Sequence, residues 1–239
     1  MKRFVFLLCA IFLTGCNHST TTPDMCPGQV RYNTTCYPQE ILQAWGLGST
    51  ETTYFSTERP YDWYLDQADT GQHADSNCGP AVAVMVTRWR TAASHYTVER
   101  ILATHPLVDS TWYTTNMQAF FHDAGIPFTL KTFISTDQFI QAIQSGHLVI
   151  ICLRMKYVRF NPVEHERVNR FYAYETGHFL ILKGVRVVDG VTWFEAYDPA
   201  SNGVTYTDGT PKGKNRHYRA DDLTRAIEQW WPAFFEIAP

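Results

Sequence analysis

Two stretches of this 239-residue chain carry side chains able to do covalent chemistry at neutral pH. Residues 75–80 read DSNCGP and run directly into AVAVMV. Proline is tolerated only in the first turn of a helix, so Pro80 fixes a helix start at or just before Cys78. A thiol there meets unpaired backbone N–H groups and the positive end of the helix dipole, and both favour thiolate over thiol. A nucleophile also needs a base, and the base needs an acceptor to orient it. Of nine histidines, His178 stands out because it opens the strand HFLILKGV directly after Gly177. Asp189-Gly190 is a strong hairpin signal, and Asp198 ends the partner arm, so His178 and Asp198 are expected to be neighbours. His73, His122, His147 and His165 have no acid at a comparable position. A zinc site from Cys78 and histidines lacks ligand spacing, and no metal or cofactor is expected.

The elements that must hold these groups divide the chain in two. CGPAVAVMVTRW is apolar almost all round, which indicates a central buried helix. TVERILATHP reads as a helix capped by Thr97 and stopped before Pro106. TNMQAFFHDAG and STDQFIQAIQSG each place a capping-box pair at the start, Thr115 with Gln118 and Ser135 with Gln138. Each also places a glycine at the end, Gly125 and Gly146. HLVIICLRM, HFLILKGVRVV and VTWFEAYDP are then β-branched and aromatic at strand length. RADDLTRAIEQWW adds a helix and PAFFEIAP a closing strand. Helices first and an antiparallel sheet second predict an α+β fold, with the folded domain over 51–239.

Read in order, GQHADSNCGP, TGHFLILKGV and AYDPAS resemble the papain-like cysteine peptidases of the bacteriocin-processing, or double-glycine peptidase, family, over about residues 60 to 239. The resemblance implies a papain-like fold, with a helical half packed on an antiparallel sheet. It gives Cys78 the role of nucleophile, His178 that of base, and Asp198 that of orienter. Gln72, six residues before the cysteine, would be the oxyanion donor beside the Cys78 backbone N–H; Gln67, its competitor, lies too far upstream. All four side chains are expected to face a cleft, so their loss should leave folding intact. The segment 156–176, KYVRFNPVEHERVNRFYAYET, precedes His178 without clear periodicity and reads as a flap over that cleft or as a solvated loop.

Residues 1–15 have Lys2 and Arg3, then a short apolar stretch, and LTGC closes the pattern at Cys16. This is a secretion signal, and its ending resembles the lipobox of bacterial lipoproteins, in which the cysteine becomes the acylated first residue. Cys16 would then anchor the chain to the bacterial envelope. Asn17 leans towards the outer membrane, facing the periplasm. Residues 16–50 would form anchor, tether and a small disulfide loop. In that oxidising compartment Cys26 and Cys36 form the simplest short-loop disulfide. Cys152, inside a β-branched run, reads as a small core hydrophobe.

Formal net charge is -3, with no basic stripe, which argues against a nucleic-acid partner. The expected partners are a peptide or protein substrate and the membrane itself. The leading function is hydrolysis of a peptide or amide bond through a cysteine thioester. A peptidoglycan-directed cysteine peptidase and a non-catalytic binding lipoprotein on the same scaffold stay open at this point.

Overall fold

The computed structural model describes residues 37–239. In chain order these form α1 (Gln39–Ala44), β1 (Glu51–Ser56), α2 (Cys78–Arg90), α3 (Val98–Thr104), α4 (Thr114–Asp123), β2 (Phe128–Thr132), α5 (Asp137–Gln144), β3 (Leu148–Arg154), β4 (Gly177–Val188), β5 (Val191–Tyr197), β6 (Lys214–Arg219), α6 (Ala220–Glu228) and β7 (Ala233–Ile237). The signal 1–15, the Cys16 anchor and the Cys26–Cys36 pair lie outside the described residues. Among the described residues no helix is long and apolar enough to cross a membrane.

The class is α+β. One antiparallel sheet runs β2-β7-β3-β4-β5-β6, and β1 pairs with the second half of β4. The apolar run of β3 is buried on both faces. Leu148, Ile150 and Cys152 join Phe179 and Ile181 in a core shared with α2 and α4. Val149, Ile151 and Leu153 join Leu180 and Leu182 in a second core shared with α5 and α6. A strand covered on both sides needs no polar alternation, which is why LVIICL reads as continuous apolar sequence.

α2 is buried along nearly its whole length, and only Cys78, Arg88 and Arg90 fall outside its buried set. Each fully buried Val or Met side chain contributes about 1.5–3 kcal/mol, so the helix is held firmly and its first residue cannot wander. At its far end the Trp89 indole donates to the Thr57 carbonyl over 2.7 Å. β4 and β5 meet at Asp189 and Gly190, whose φ values of 49° and 76° are the positive pair that a type I′ turn requires. The arms differ in length, and a one-residue register shift falls between Leu182 and Gly184, so β4 runs on past the end of β5. With Ile181 paired to Tyr197, Asp198 comes level with the start of β4.

Several local expectations hold, and two change. Thr97 caps α3 by accepting from the Arg100 N–H, and at the start of α5 half of the expected box forms: the Ser135 N–H donates to Gln138 Oε1, while Ser135 Oγ accepts from the Asp137 N–H. α4 begins one residue earlier than Thr115, so the pair in capping spacing is Tyr113 and Asn116, whose side chain accepts from the Tyr113 N–H at 3.0 Å. The packed region also starts before residue 51. α1 lays Leu42, and Leu47 just beyond it, against Val168, Val188 and Trp193, a contact that local sequence in a presumed tether does not reveal.

Candidate active site

Cys78 is the first residue of α2, and His178 is the second of β4, paired across the sheet with Leu153. The His178 ring places Nε2 at 2.7 Å from Asp198 Oδ1. That contact commits Nε2–H to the carboxylate and leaves Nδ1 as the ring nitrogen free to serve Cys78, which lines the same two cavities as the ring. The structure therefore bonds His178 to Asp198 and sets Cys78 beside the His178 ring at the cavities the two share. This sets a thiol on a helix start against an imidazole and a carboxylate carried by an antiparallel sheet.

Asp198 is not a cleft residue. It is 0% exposed and accepts four hydrogen bonds: His178 Nε2 and Ala200 N–H on Oδ1, and the hydroxyls of Tyr172 (2.8 Å) and Tyr218 (2.5 Å) on Oδ2. Burial pushes its carboxyl upward, but the His178 charge and these donors more than offset that and hold it below the usual carboxylate range. Its backbone is fixed as well. Its N–H donates to the Gly213 carbonyl, and its own carbonyl accepts from the Tyr64 hydroxyl. Gly213 is obligatory here, because a Cβ would stand 2.0 Å from the Asp198 carbonyl oxygen. The expectation that Asp198 could be lost without harm to folding is therefore corrected: the carboxylate is the buried hub of two tyrosines that sequence reasoning did not identify. Tyr172 lies 26 residues away and Tyr218 20, and neither carries a local signal of the contact.

The charges follow from this geometry. Burial alone pushes the Cys78 thiol up. The hydrogen bond and positive charge of His178, with the Phe179 and Gly79 N–H groups, reverse that and bring it below its ordinary value. Burial pulls His178 down, but Asp198 and Cys78 together raise it. Both shifts favour the thiolate–imidazolium form of the pair. Cys152 shares a cavity with Cys78, yet burial pushes its thiol up to about 12 and the Cys78 charge adds to the effect. Access does not separate the two cysteines, but ionisation does.

The oxyanion position differs from expectation. Gln72 is exposed, and only its backbone turns inward, where its carbonyl accepts from the Asn77 side chain. Positive φ at Gly71 (77°) and His73 (69°) folds the loop between two short 3₁₀ turns, Gln67–Asp69 and Ala74–Ser76. That fold brings Gln67, and not Gln72, to the cavity beside Cys78 and His178. Gln67 is buried, its N–H is tied to the Pro199 carbonyl next to Asp198, and its side-chain oxygen has no partner. Counting six residues back along the chain misses this, because the loop takes a longer path than the family spacing implies.

Two cavities meet at Cys78 and His178. One, of about 620 Å³, is walled by Trp112, Phe179, Trp230 and Trp231. The other, of about 340 Å³, is lined by Gln67, Tyr174 and Asn202. Glycine next to each reacting residue makes room for the first. A Cβ on Gly79 would meet Trp112 at 2.9 Å, and one on Gly177 would meet Trp230 at 2.7 Å. Residues 156–176 are exposed over 162–165 but are pinned on either side of that stretch. Arg216 binds the carbonyls of Glu166, Val168 and Asn169, and Arg170 binds those of Val158, Tyr172 and Ala173. The pinned segment delivers Tyr172 to Asp198 and Tyr174 to the edge of His178.

No protein-family model matches the chain, and no curated protein matches it in sequence. Among solved structures it is similar to a Bacillus anthracis protein assigned as a C39-like peptidase, at 12% identity and a TM-score of 0.48, over 78% of this chain and 98% of that one. It is also similar to UfSP from C. elegans, at 12% identity and a TM-score of 0.40, over 77% of this chain and 33% of that one.

Proposed function

We propose that this chain is a cell-envelope cysteine peptidase or amidase, tethered through a lipid on Cys16, that hydrolyses a peptide or amide bond by way of a Cys78 thioester. The observation that carries this reading is the line from Cys78 through His178 to a buried, four-fold bonded Asp198. A binding module would have no use for a carboxylate held ionised behind an imidazole. The Cys78 thiolate attacks the acyl carbon and the carbonyl π-electrons move to oxygen, where the Gln67 amide and the Cys78 N–H receive the charge. As the tetrahedral species collapses, the C–N bond breaks and the His178 imidazolium gives its proton to the departing amine. Neutral His178 then takes a proton from water, whose oxygen attacks the thioester and releases acid and thiolate. Asp198 holds the tautomer throughout.

The test is incubation with a peptide library made by digesting envelope proteins, with new termini read by mass spectrometry. Cleavages present with the wild type and absent with Cys78→Ala support the reading. Identical products from both, or none from either, contradict it. On any substrate so found, Gln67→Ala should lower kcat by about 10²–10³-fold, as the loss of one oxyanion donor does, whereas Gln72→Ala should leave it within twofold.

Lipid tethering has its own expected result. Cys16→Ser should turn a membrane-sedimenting protein into a soluble periplasmic one, because a mature chain with 23 acidic residues has no electrostatic hold on anionic lipid. Continued sedimentation of Cys16→Ser at high salt would remove the anchor.

A further inference from the structure

Tyr174 lies four residues before His178 in the pinned segment. Its ring stacks on Tyr172, with centroids 4.0 Å apart and planes at 10°, and meets the His178 ring at 6.0 Å and 78°. Its hydroxyl is buried and finds no hydrogen-bond partner among the described residues. The residue faces the cavity that holds Cys78, His178 and Gln67. An unpaired buried hydroxyl costs about 1–3 kcal/mol, a cost that phenylalanine would avoid while keeping both ring contacts. The neighbouring tyrosine makes the contrast plain: the Tyr172 hydroxyl is committed to Asp198 Oδ2.

What the Tyr174 hydroxyl awaits must be an acceptor that enters the cavity from outside. Burial, reinforced by the charges of Asp198 and Cys78, pushes the Tyr174 phenol far above its ordinary value, so it keeps its proton and can donate a hydrogen bond but not deliver the proton itself. Protonating the leaving amine is thereby excluded and falls to His178. The acceptor that develops beside Cys78 is the oxygen of the acyl group under attack, and Gln67, whose amide N–H groups can donate, lines the same cavity.

We propose that the Tyr174 hydroxyl is a second side-chain donor to the oxyanion, acting with Gln67 on the carbonyl oxygen of the group attacked by Cys78. This rests on the peptidase reading above. Because an oxyanion accepts more strongly than a carbonyl, the bond strengthens as the tetrahedral species forms, so the contribution belongs to kcat more than to KM.

The test needs no natural substrate. The peptide aldehyde N-acetyl-leucyl-leucyl-norleucinal forms a reversible hemithioacetal: sulfur bonds to the aldehyde carbon, and the aldehyde oxygen takes up the charge or a proton where the oxyanion would stand. Its dissociation constant is read from protection of Cys78 against iodoacetamide. Tyr174→Phe keeps the ring and should leave the unprotected alkylation rate and its pH profile within twofold of wild type, which a role in merely positioning His178 would not. The aldehyde dissociation constant should rise about 10–100-fold, the range for a hydrogen bond to a charged acceptor. An unchanged constant in Tyr174→Phe overturns the proposal, as does a wild type whose rapidly alkylated Cys78 the aldehyde does not protect. Slow alkylation of wild-type Cys78 is a different failure, and overturns the peptidase reading together with this proposal.

Discussion

Turnover should fall by about 10⁶-fold in Cys78→Ala, and by a similar factor in His178→Ala, because a nucleophile and its proton carrier act as a unit and losing either removes the whole path. No neighbour can substitute. Cys152 shares the larger cavity, but its thiol is held protonated by burial up to about 12. The other histidines with acidic partners, His105 and His122 on Asp123 and His147 on Glu236, do not line either cavity at Cys78. Rates are measured on the cleavages found in the peptide-library experiment. Activity of Cys78→Ala within a hundredfold of wild type would remove the thioester mechanism.

Asp198→Ala is expected to have the largest effect on stability. It strips the acceptor from two buried tyrosine hydroxyls, from His178 Nε2–H and from the Ala200 N–H at once. Removing one partner of a buried charged pair costs on the order of 3–5 kcal/mol. At about 2–4 °C per kcal/mol for a domain of this size, the melting temperature should fall by roughly 10 °C. The pH dependence has a definite sign. The folded carboxyl lies below its ordinary value, so its contribution is fully present above the unfolded value of about 3.9 and is lost as pH falls through the folded one. The gap in melting temperature between wild type and Asp198→Ala should be full at pH 7 and shrink only below about pH 4. A gap of under 2 °C at pH 7 would mean that the four donors find other partners and that the hub is not structural.

What the sequence makes legible is what local patterning encodes. The start of α2 follows from Pro80, the buried strands from β-branched runs, and the meeting of His178 with Asp198 from the Asp189-Gly190 turn. What it hides is of three kinds. Gln67 is hidden by loop geometry, since residue counting cannot see that Gly71 and His73 turn the chain through positive φ. Tyr172 and Tyr218 are hidden because their partner, Asp198, is distant in sequence, and Tyr174 because the aromatic content of the chain resembles core packing. Strands β1, β2 and β6 are hidden by composition. ETTYFS, FTLKT and KNRHYR have too few apolar residues to signal burial. Around them Lys183, Arg186, Glu51 and Glu195 pair inside the sheet, so charges that mark a surface in sequence lie in the interior.

The most direct measurement is the pH dependence of iodoacetamide alkylation, with the modified residue mapped by mass spectrometry. Cys78 should be labelled, with a rate that rises below the pH range of an ordinary thiol, because His178 stabilises its thiolate, and His178→Ala should move that limb upward. Cys152 should stay unlabelled at neutral pH. Labelling of Cys152 in preference to Cys78, or a Cys78 profile that His178→Ala does not move, would contradict the account.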